Sequence, residues 1–222
     1  MAGQVTHETV RIRSGSATID GDLRQPPHAN GIVVFAHGSG SSRFSSRNRA
    51  VAGVLESAGF ATLLLDLLTR DEEQIDEFTR EYRFDIEMLG RRVVDATDWF
   101  DGRPDLTMLP VAYFGASTGA AAALIAAAAR PERTRAVISR GGRPDLAGDA
   151  LPLVEAPTLL IVGGDDEPVI ELNREAMRRM RAPVKLEIIP GATHLFEEPG
   201  TLEQVARLAV EWCRIHVAAA AV

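Results

Sequence analysis

The sequence predicts an α/β protein with a mostly parallel sheet, and two patterns along the chain support this fold class. Six short apolar runs, rich in branched residues, each end at Gly, Asp or Ser, which is typical of strands buried on both faces of a parallel sheet. Amphipathic segments with helical spacing lie between these runs, as crossovers between parallel strands require. Because 222 residues can bury a substantial core, we expect a single domain over residues 1–222 with about eight strands.

The first 25 residues differ from the rest of the chain because apolar and polar side chains alternate there. This pattern, with a turn at Ser14-Gly15-Ser16, predicts an antiparallel hairpin at the sheet edge. The parallel strands are expected in the runs GIVVFAHG, ATLLLDL, VAYFGAS, RAVISRGG, TLLIVGGDD and VKLEIIPG. Helices, which would cover both faces of the sheet, are expected in segments such as RNRAVAGVLESAG, FDIEMLGRRVVDATDWF and LEQVARLAVEWCRIHV.

Two segments carry weaker signals. Asp71–Asp85 is acidic and has no strand pattern, so we expect a solvated loop and the start of a helix, with a small flap over a pocket as the alternative. The tail Val217–Val222 is expected to be a frayed helix end. No long insertion interrupts the chain, which predicts a minimal cap or none.

Composition and charge exclude several classes of function. The formal net charge of −7 argues against a nucleic-acid partner, because phosphate binding requires clustered Lys and Arg. No stretch of about 18 apolar residues is free of charge, so neither a membrane span nor a secretory leader is expected. The single cysteine, Cys213, allows no intrachain disulfide and no zinc spacing. We therefore expect a cytoplasmic monomer or homodimer that acts on a small molecule without a metal or an organic cofactor.

A glycine-rich turn separates the apolar run VAYFG from an alanine-rich helix. Gly115, Ser117 and Gly119 fit the pattern G-x-S-x-G, in which small flanking residues let strand and helix approach closely. The turn would present the Ser117 hydroxyl at a helix N-terminus. A serine hydroxyl is a weak nucleophile that needs a base and a third group to orient the base. Taken alone, Ser117 is equally consistent with a helix N-cap.

Two further polar residues follow predicted strands in the order that a nucleophilic serine requires. Asp166 comes after the run TLLIVGG and His194 after VKLEIIPG, which gives the order serine, acid, histidine. Because the carboxyl ends of parallel strands meet at one edge of a sheet, we expect the three side chains to lie together. Asp165 competes with Asp166, since adjacent residues at a strand end point in opposite directions and only one can face the histidine.

The segment AHGSGSS after the first long strand has the glycines that an oxyanion hole needs to aim backbone N–H groups at one point. We expect the N–H groups of Ser39 and Thr118 to form this hole, with Gly40 as the near alternative and a candidate substrate contact. A phosphate-binding loop is disfavoured, because no Gly-Lys-Ser/Thr follows.

A different triad would consist of His37, Asp66 and Ser117. The strand-to-helix turn at Ser117, called the elbow, and the location of His194 argue against it. We expect His37 instead to brace residues 38–42, called the oxyanion loop.

The four segments FAHGSGSSR, GASTG, VGGDDEPV and GATHLFEEPG together resemble the α/β-hydrolase superfamily, and more narrowly its small dienelactone-hydrolase-like serine esterase group. The resemblance runs from about Val10 to Val217. It implies an eight-stranded, mostly parallel sheet flanked by helices, and the hydrolysis of esters or lactones. Dienelactone hydrolases proper use a cysteine nucleophile, whereas this chain has Ser117, so the resemblance favours a serine esterase over narrow dienelactone specificity.

The expected reaction is therefore the hydrolysis of small carboxylic esters or lactones through an acyl-enzyme on Ser117. Arg140 and Arg143, in the segment SRGGRPDL, would lie near the same rim, where one or both could bind a substrate carboxylate. Pairing with Asp145 or Asp149 is the alternative for these arginines. Acyl transfer to an acceptor other than water, and a non-catalytic binding role on this fold, are the rival functions.

Overall fold

A computed structural model describes residues 4–218 and has the predicted architecture, an eight-stranded sheet flanked by helices. The strands lie in the order β1-β2-β4-β3-β5-β6-β7-β8. Strands β1 and β2 form an antiparallel hairpin in which Ser14 pairs with Ala17, and β2 also runs antiparallel to β4. All pairs from β4 to β8 are parallel, which confirms the predicted fold class.

The six apolar runs are all strands, and the hairpin supplies two more. The strands are β1 Thr6–Ser14, β2 Ala17–Gln25, β3 Ile32–Ala36, β4 Ala61–Leu65, β5 Val111–Ala116, β6 Thr134–Arg140, β7 Thr158–Gly163 and β8 Val184–Ile189. The helices are α1 Ser46–Ser57, α2 Arg70–Thr79, α3 Ile86–Trp99, α4 Thr118–Ala129, α5 Glu167–Arg179 and α6 Thr201–His216. Two 3₁₀ segments, Phe100–Gly102 and Pro144–Leu153, complete the described elements.

Each face of the sheet packs against its own set of helices, because successive strand residues point to opposite faces. Val34, Tyr113 and Val137 belong to the cluster under α3 and α4. Phe35 and Phe114 belong to the cluster under α1 and α6, with their ring centroids 4.8 Å apart. The central strands are buried on both faces, which is why their sequences are continuous apolar runs rather than alternating ones.

The acidic segment Asp71–Asp85 is more ordered than the sequence indicates. Most of it is a helix, α2, whose N-cap is Thr69. The Thr69 hydroxyl accepts the N–H of Glu72, and the Glu72 carboxylate accepts the N–H of Thr69. Asp76 is buried and bonds the Arg83 guanidinium as well as the N–H groups of Tyr82 and Arg83. These contacts fix the turn from α2 to α3, so the expectation of a solvated loop was wrong for most of this segment.

Of the predicted frayed tail, Val217 and Ala218 follow α6, and residues 219–222 lie outside the described part of the chain. None of the helices in residues 4–218 combines the length and the apolar character that crossing a membrane would require.

Candidate active site

Ser117 lies at the turn between β5 and α4 with φ 50° and ψ −123°, a backbone conformation that a residue with a Cβ atom rarely adopts. A Cβ at Gly115 would overlap the backbone of Ala120, and one at Gly119 would overlap the carbonyl oxygen of Ala36. Only glycine fits at either position, so the G-x-S-x-G pattern is required by the close approach of strand and helix. Ser117 occupies the N-cap position of α4, yet its hydroxyl makes no capping hydrogen bond, which argues against a purely structural role.

His194 and Asp166 lie together at the carboxyl edge of the sheet. His194 Nδ1 is 2.7 Å from Asp166 Oδ2, and the Asp166 side chain is only 14% exposed. Asp166 stands at the N-cap of α5, but its carboxylate contacts the imidazole and does not cap that helix. Asp165 is exposed and contributes its N–H to the carbonyl of Ala192. Of the two competing carboxylates, Asp166 is therefore the one that faces the histidine.

The end of β6 connects the histidine to the serine. The carbonyl of Arg140 accepts the N–H of Ser117 at 3.3 Å, and the next residue, Gly141, lies against His194. A Cβ at Gly141 would come within 3.0 Å of the His194 carbonyl oxygen and 3.6 Å of its Cε1 atom. The Ser117 hydroxyl has no hydrogen bond to His194 or to any other group in residues 4–218. The structure thus contains the acid–histidine pair of the expected triad. It also places Ser117 beside the end of β6, which contacts the histidine through Gly141.

The oxyanion loop runs directly against the elbow. A Cβ at Gly38 would lie 2.9 Å from the Ser117 Cβ, so a glycine is required there. The N–H of Ser39 donates to Thr118 Oγ1 at 3.0 Å, and the Ser39 hydroxyl lies 3.0 Å from the same atom. The N–H of Thr118 is one of the first in α4, and such groups have no partner within their own helix. Thr118 therefore presents a backbone donor, while the Ser39 donor is satisfied by a side chain.

His37 braces this loop from below, as the sequence predicts. Its Nε2 accepts the N–H of Leu67 at 2.9 Å and its Nδ1 lies 2.9 Å from the carbonyl oxygen of Gly38. These two contacts require a neutral ring with the proton on Nδ1. Burial lowers the pKa of His37, although the Gly38 carbonyl and the charge of Asp66 oppose this shift. His37 therefore connects β4 to the oxyanion loop as a neutral imidazole.

The two candidate arginines, one at the end of β6 and one three residues later, have different environments. Arg143 forms a bidentate pair with Asp145, at 2.9 and 2.7 Å, which is the alternative to substrate binding that the sequence allows. Arg140 is 7% exposed and has no carboxylate within salt-bridge distance in residues 4–218. Of these two arginines, it is therefore Arg140 whose guanidinium has no counter-charge among residues 4–218.

A cavity of about 530 Å³ opens beside the elbow, on the side of the oxyanion loop. Its walls are the Gly38–Ser45 segment, the end of β4 and α2, with Thr118 at the boundary to the serine. Gly40, with φ 68°, lies in the wall next to the Arg83 guanidinium. Many hydroxyl groups line the space, among them those of Thr18, Ser41, Ser42 and Thr69. Leu67, Leu68 and Leu89 also line it, so the cavity offers both hydroxyl groups and apolar surface.

The model of the dienelactone hydrolase family matches residues 19–215. The chain belongs to the dienelactone hydrolase family. The crystal structure of a dienelactone hydrolase from Anabaena variabilis is 57% identical in sequence, has a TM-score of 0.94, and covers 97% of this chain and 100% of its own. A dienelactone hydrolase-like promiscuous phosphotriesterase from metagenomic libraries has a TM-score of 0.77 at 19% identity, covering 96% of this chain and 100% of its own, which shows the shared fold alone.

Two curated relatives, from two strains of Mycobacterium tuberculosis, are 58% identical over 210 residues, which is 95% of this chain and 46% of each relative. Each is named "Putative phosphoribosyl transferase". The chain spans about half the length of these relatives. The shared 210 residues are 95% of this chain and therefore overlap nearly all of residues 19–215, which the dienelactone hydrolase family model matches. The family supports a hydrolase for this part of the relatives' length.

Some residues of this dienelactone hydrolase family member were missed by the sequence reasoning. Arg43 pairs with Asp66 in the cavity wall and lies 3.5 Å from Asp22 and 3.9 Å from Asp20. Glu73 faces the same cavity from α2, and burial, together with the charge of Asp66, raises its pKa. Asp66 directly follows β4, so the rule that ligands meet strand ends indicates it. The signal that could have found Glu73 is the spacing of Thr69 and Glu72, which is that of a capping box and marks the start of a helix there.

Proposed function

We propose that this chain is a serine hydrolase that cleaves small carboxylic esters or lactones through an acyl-enzyme on Ser117. The observation that carries the proposal is the 2.7 Å contact between His194 and Asp166. Both residues lie at the carboxyl edge of the sheet, where Ser117 is held in its strained turn at the end of β5. A residue in such a conformation costs about 1–3 kcal/mol, and this cost is common where a side chain must be presented for chemistry.

The first step would be attack of the Ser117 hydroxyl on the substrate carbonyl carbon. Asp166 accepts a hydrogen bond from His194 Nδ1, so the imidazole keeps its proton there and leaves Nε2 free to accept the serine proton. The charged imidazolium that results is stabilised by the Asp166 carboxylate. His194 then gives the proton to the leaving oxygen. Water attacks the acyl-enzyme while His194 takes a proton from it, and the Ser117 oxygen takes that proton as the acid departs.

Backbone donors would stabilise the oxyanion that forms on the carbonyl oxygen. The N–H of Thr118 is available for this role, and the N–H of Ser39 would exchange the Thr118 hydroxyl for the oxyanion, which is the stronger acceptor. Such a donor contributes about 3–4 kcal/mol to the transition state in related chemistry. Gly40, in the neighbouring wall, would contact the substrate through its backbone.

The transferase name of the mycobacterial relatives belongs to proteins about twice as long as this chain. We propose hydrolysis for the part in hand because that part matches the hydrolase family model over residues 19–215. Acyl transfer to an alcohol on the same triad is the alternative. Turnover of an aryl ester in the presence of a competing alcohol separates the two, since a transferase forms the new ester in excess over the free acid.

A fluorophosphonate probe followed by intact-mass measurement tests the proposal directly. We expect one adduct on the wild type and none on Ser117→Ala, because only an activated serine reacts. His194→Ala is expected to lose the adduct as well, whereas Ser41→Ala, which changes a serine of the cavity wall, keeps it. Folded wild type without an adduct would contradict an activated Ser117 and favour a non-catalytic binding protein. Loss of turnover on His37→Ala but not on His194→Ala would contradict the assignment of the base.

A further inference from the structure

Among residues 4–218, Arg140 is a buried cation without a counter-charge. Its side chain makes one hydrogen bond there, from Nη2 to the neutral Oδ1 of Asn48 at 3.2 Å, and its Nε is buried without a partner. Burial lowers the pKa of Arg140 to about 10, with the charge of Arg47 acting in the same direction, so the guanidinium is still protonated at neutral pH. Buried charges are ordinarily paired, because an unpaired one forfeits its hydration.

Arg47 brings a second guanidinium to the same place. Its Nε is also buried without a partner, and its Nη1 lies 3.1 Å from Glu197 Oε1. The Glu197 side chain is 64% exposed, so its carboxylate is well solvated and neutralises the pair of arginines weakly. The charge of Arg47 thus acts on Arg140, and each of the two guanidinium groups has a buried Nε donor without a partner in residues 4–218.

The N-terminus of α1 adds to the positive potential. Arg47 and Asn48 both belong to its first turn, which contains no acidic residue. The first turn of a helix carries a partial positive charge and favours anions. Ordered water could satisfy the two Nε donors, but it would bring no negative charge to the two guanidinium groups and the helix end.

We propose that Arg47 and Arg140 form a subsite that binds an anionic group, a carboxylate or a phosphate, at the N-terminus of α1. The subsite adjoins the candidate active site. Phe196, two residues after His194, has its ring centroid 6.0 Å from the Arg140 guanidinium, and the Arg140 carbonyl accepts the N–H of Ser117. The bound anion displaces the Glu197 carboxylate from its ion pair with Arg47. This binding goes beyond the proposed hydrolysis and does not depend on it.

Binding of inorganic phosphate, measured by calorimetric titration at constant ionic strength, tests the subsite without any turnover. We expect saturable binding to the wild type, weakened about tenfold or more in Arg140→Met and in Arg47→Met, since each loses a charged donor. Glu197→Gln is expected to bind phosphate more tightly, because it removes the competing carboxylate. Arg143→Met is the matched control, and it retains the wild-type affinity because Arg143 is already paired with Asp145.

The variants are expected to fold. Arg140→Met replaces an uncompensated buried charge with an apolar chain of similar length, and should therefore be at least as stable as the wild type in phosphate-free buffer. Arg47 is 33% exposed, so its variant provides an independent test if Arg140→Met fails to fold. Absence of saturable binding to the wild type would overturn the proposal. Equal affinity in the wild type and both arginine variants would overturn it as well.

The anionic group could belong to the substrate or to a separate small anion, and kinetics distinguish these sources. If it belongs to the substrate, phosphate competes with an aryl ester that carries a carboxylate, and Arg140→Met raises KM for that ester but not for aryl acetate. If it is a separate anion, phosphate changes kcat for aryl acetate, and this response is lost in Arg140→Met. Phosphate that binds but alters neither reaction would reduce the subsite to an adventitious anion site and overturn its role. A chain without esterase activity would contradict the proposed function and leave the binding result standing.

Discussion

The N–H of Ser39 donates to Oγ1 of Thr118 at 3.0 Å, and this contact ties the oxyanion loop to the first residue of α4. The Ser39 hydroxyl lies at the same distance from the same atom, so one threonine side chain holds both polar groups of Ser39. Thr118 is buried and directly follows the candidate nucleophile. The Thr118 hydroxyl therefore helps to orient the loop next to Ser117, together with His37, which contacts the Gly38 carbonyl.

Thr118→Val should lower kcat about tenfold with little change in KM, because it keeps the shape of the side chain but releases the loop that aims the Ser39 donor. Thr118→Ser should retain most of the activity, since it preserves the hydroxyl. Steady-state kinetics on an aryl acetate measure both. If Thr118→Val turned over at the wild-type rate, the hydroxyl would have no part in positioning the loop.

Asp166→Asn should lower kcat by about 10³–10⁴-fold, because an amide does not hold the imidazole in the required tautomer or stabilise its charged form. Asp165→Asn is the matched control, since that residue is adjacent and exposed and does not contact His194. It should stay within about twofold of the wild type. Comparable losses in both variants would show that the choice of Asp166 over Asp165 is wrong.

The fold could be predicted from the sequence because strands buried on both faces leave a continuous apolar pattern, as in the run VVFA of β3. The order Ser117, Asp166, His194 could be predicted for a related reason, since each residue lies in the segment that follows a parallel strand. The partners of Arg140 and Arg143 could not be predicted from the sequence. Arg140 and Arg143 are three residues apart in one segment, yet one is buried without a carboxylate and the other pairs with Asp145.

The wall formed by α2 was missed for a different reason, since the hydrophobic pattern does not show it and only the capping-box spacing of Thr69 and Glu72 does. Its sequence RDEEQIDEFT is mostly charged and has few apolar residues to mark a buried face. The helix depends on the capping contacts of Thr69 and Glu72 and on the bonds of Asp76 to the following turn. Such contacts join residues that a hydrophobic pattern does not reveal.

The stability of the protein should fall in acid as His37 becomes protonated. The folded pKa is lowered from the ordinary value of about 6.5, so between the two pKa values the unfolded chain binds more protons than the folded one. The loss therefore begins as the pH falls below about 6.5 and is complete below the lowered pKa. Protonation would place a hydrogen on Nε2 against the N–H of Leu67.

Urea denaturation at several pH values between 4 and 8 checks this expectation, with the wild type compared with His37→Gln. The glutamine does not titrate, so its variant should be less stable at pH 8 but should lose less stability on acidification. Identical pH dependence in the two proteins would assign the acid sensitivity to other groups.

The strain at the elbow should appear as a difference in stability between two inactive variants. Ser117 has φ 50° and ψ −123°, so Ser117→Ala retains a Cβ atom in a disfavoured conformation, whereas Ser117→Gly removes it. The strain of about 1–3 kcal/mol exceeds the entropic cost of about 0.5–1 kcal/mol that glycine adds on folding. Ser117→Gly should therefore be about 1 kcal/mol more stable than Ser117→Ala in urea denaturation. A glycine variant that is the less stable of the two would show that the turn stores no strain, and the elbow would then need another explanation for its conformation.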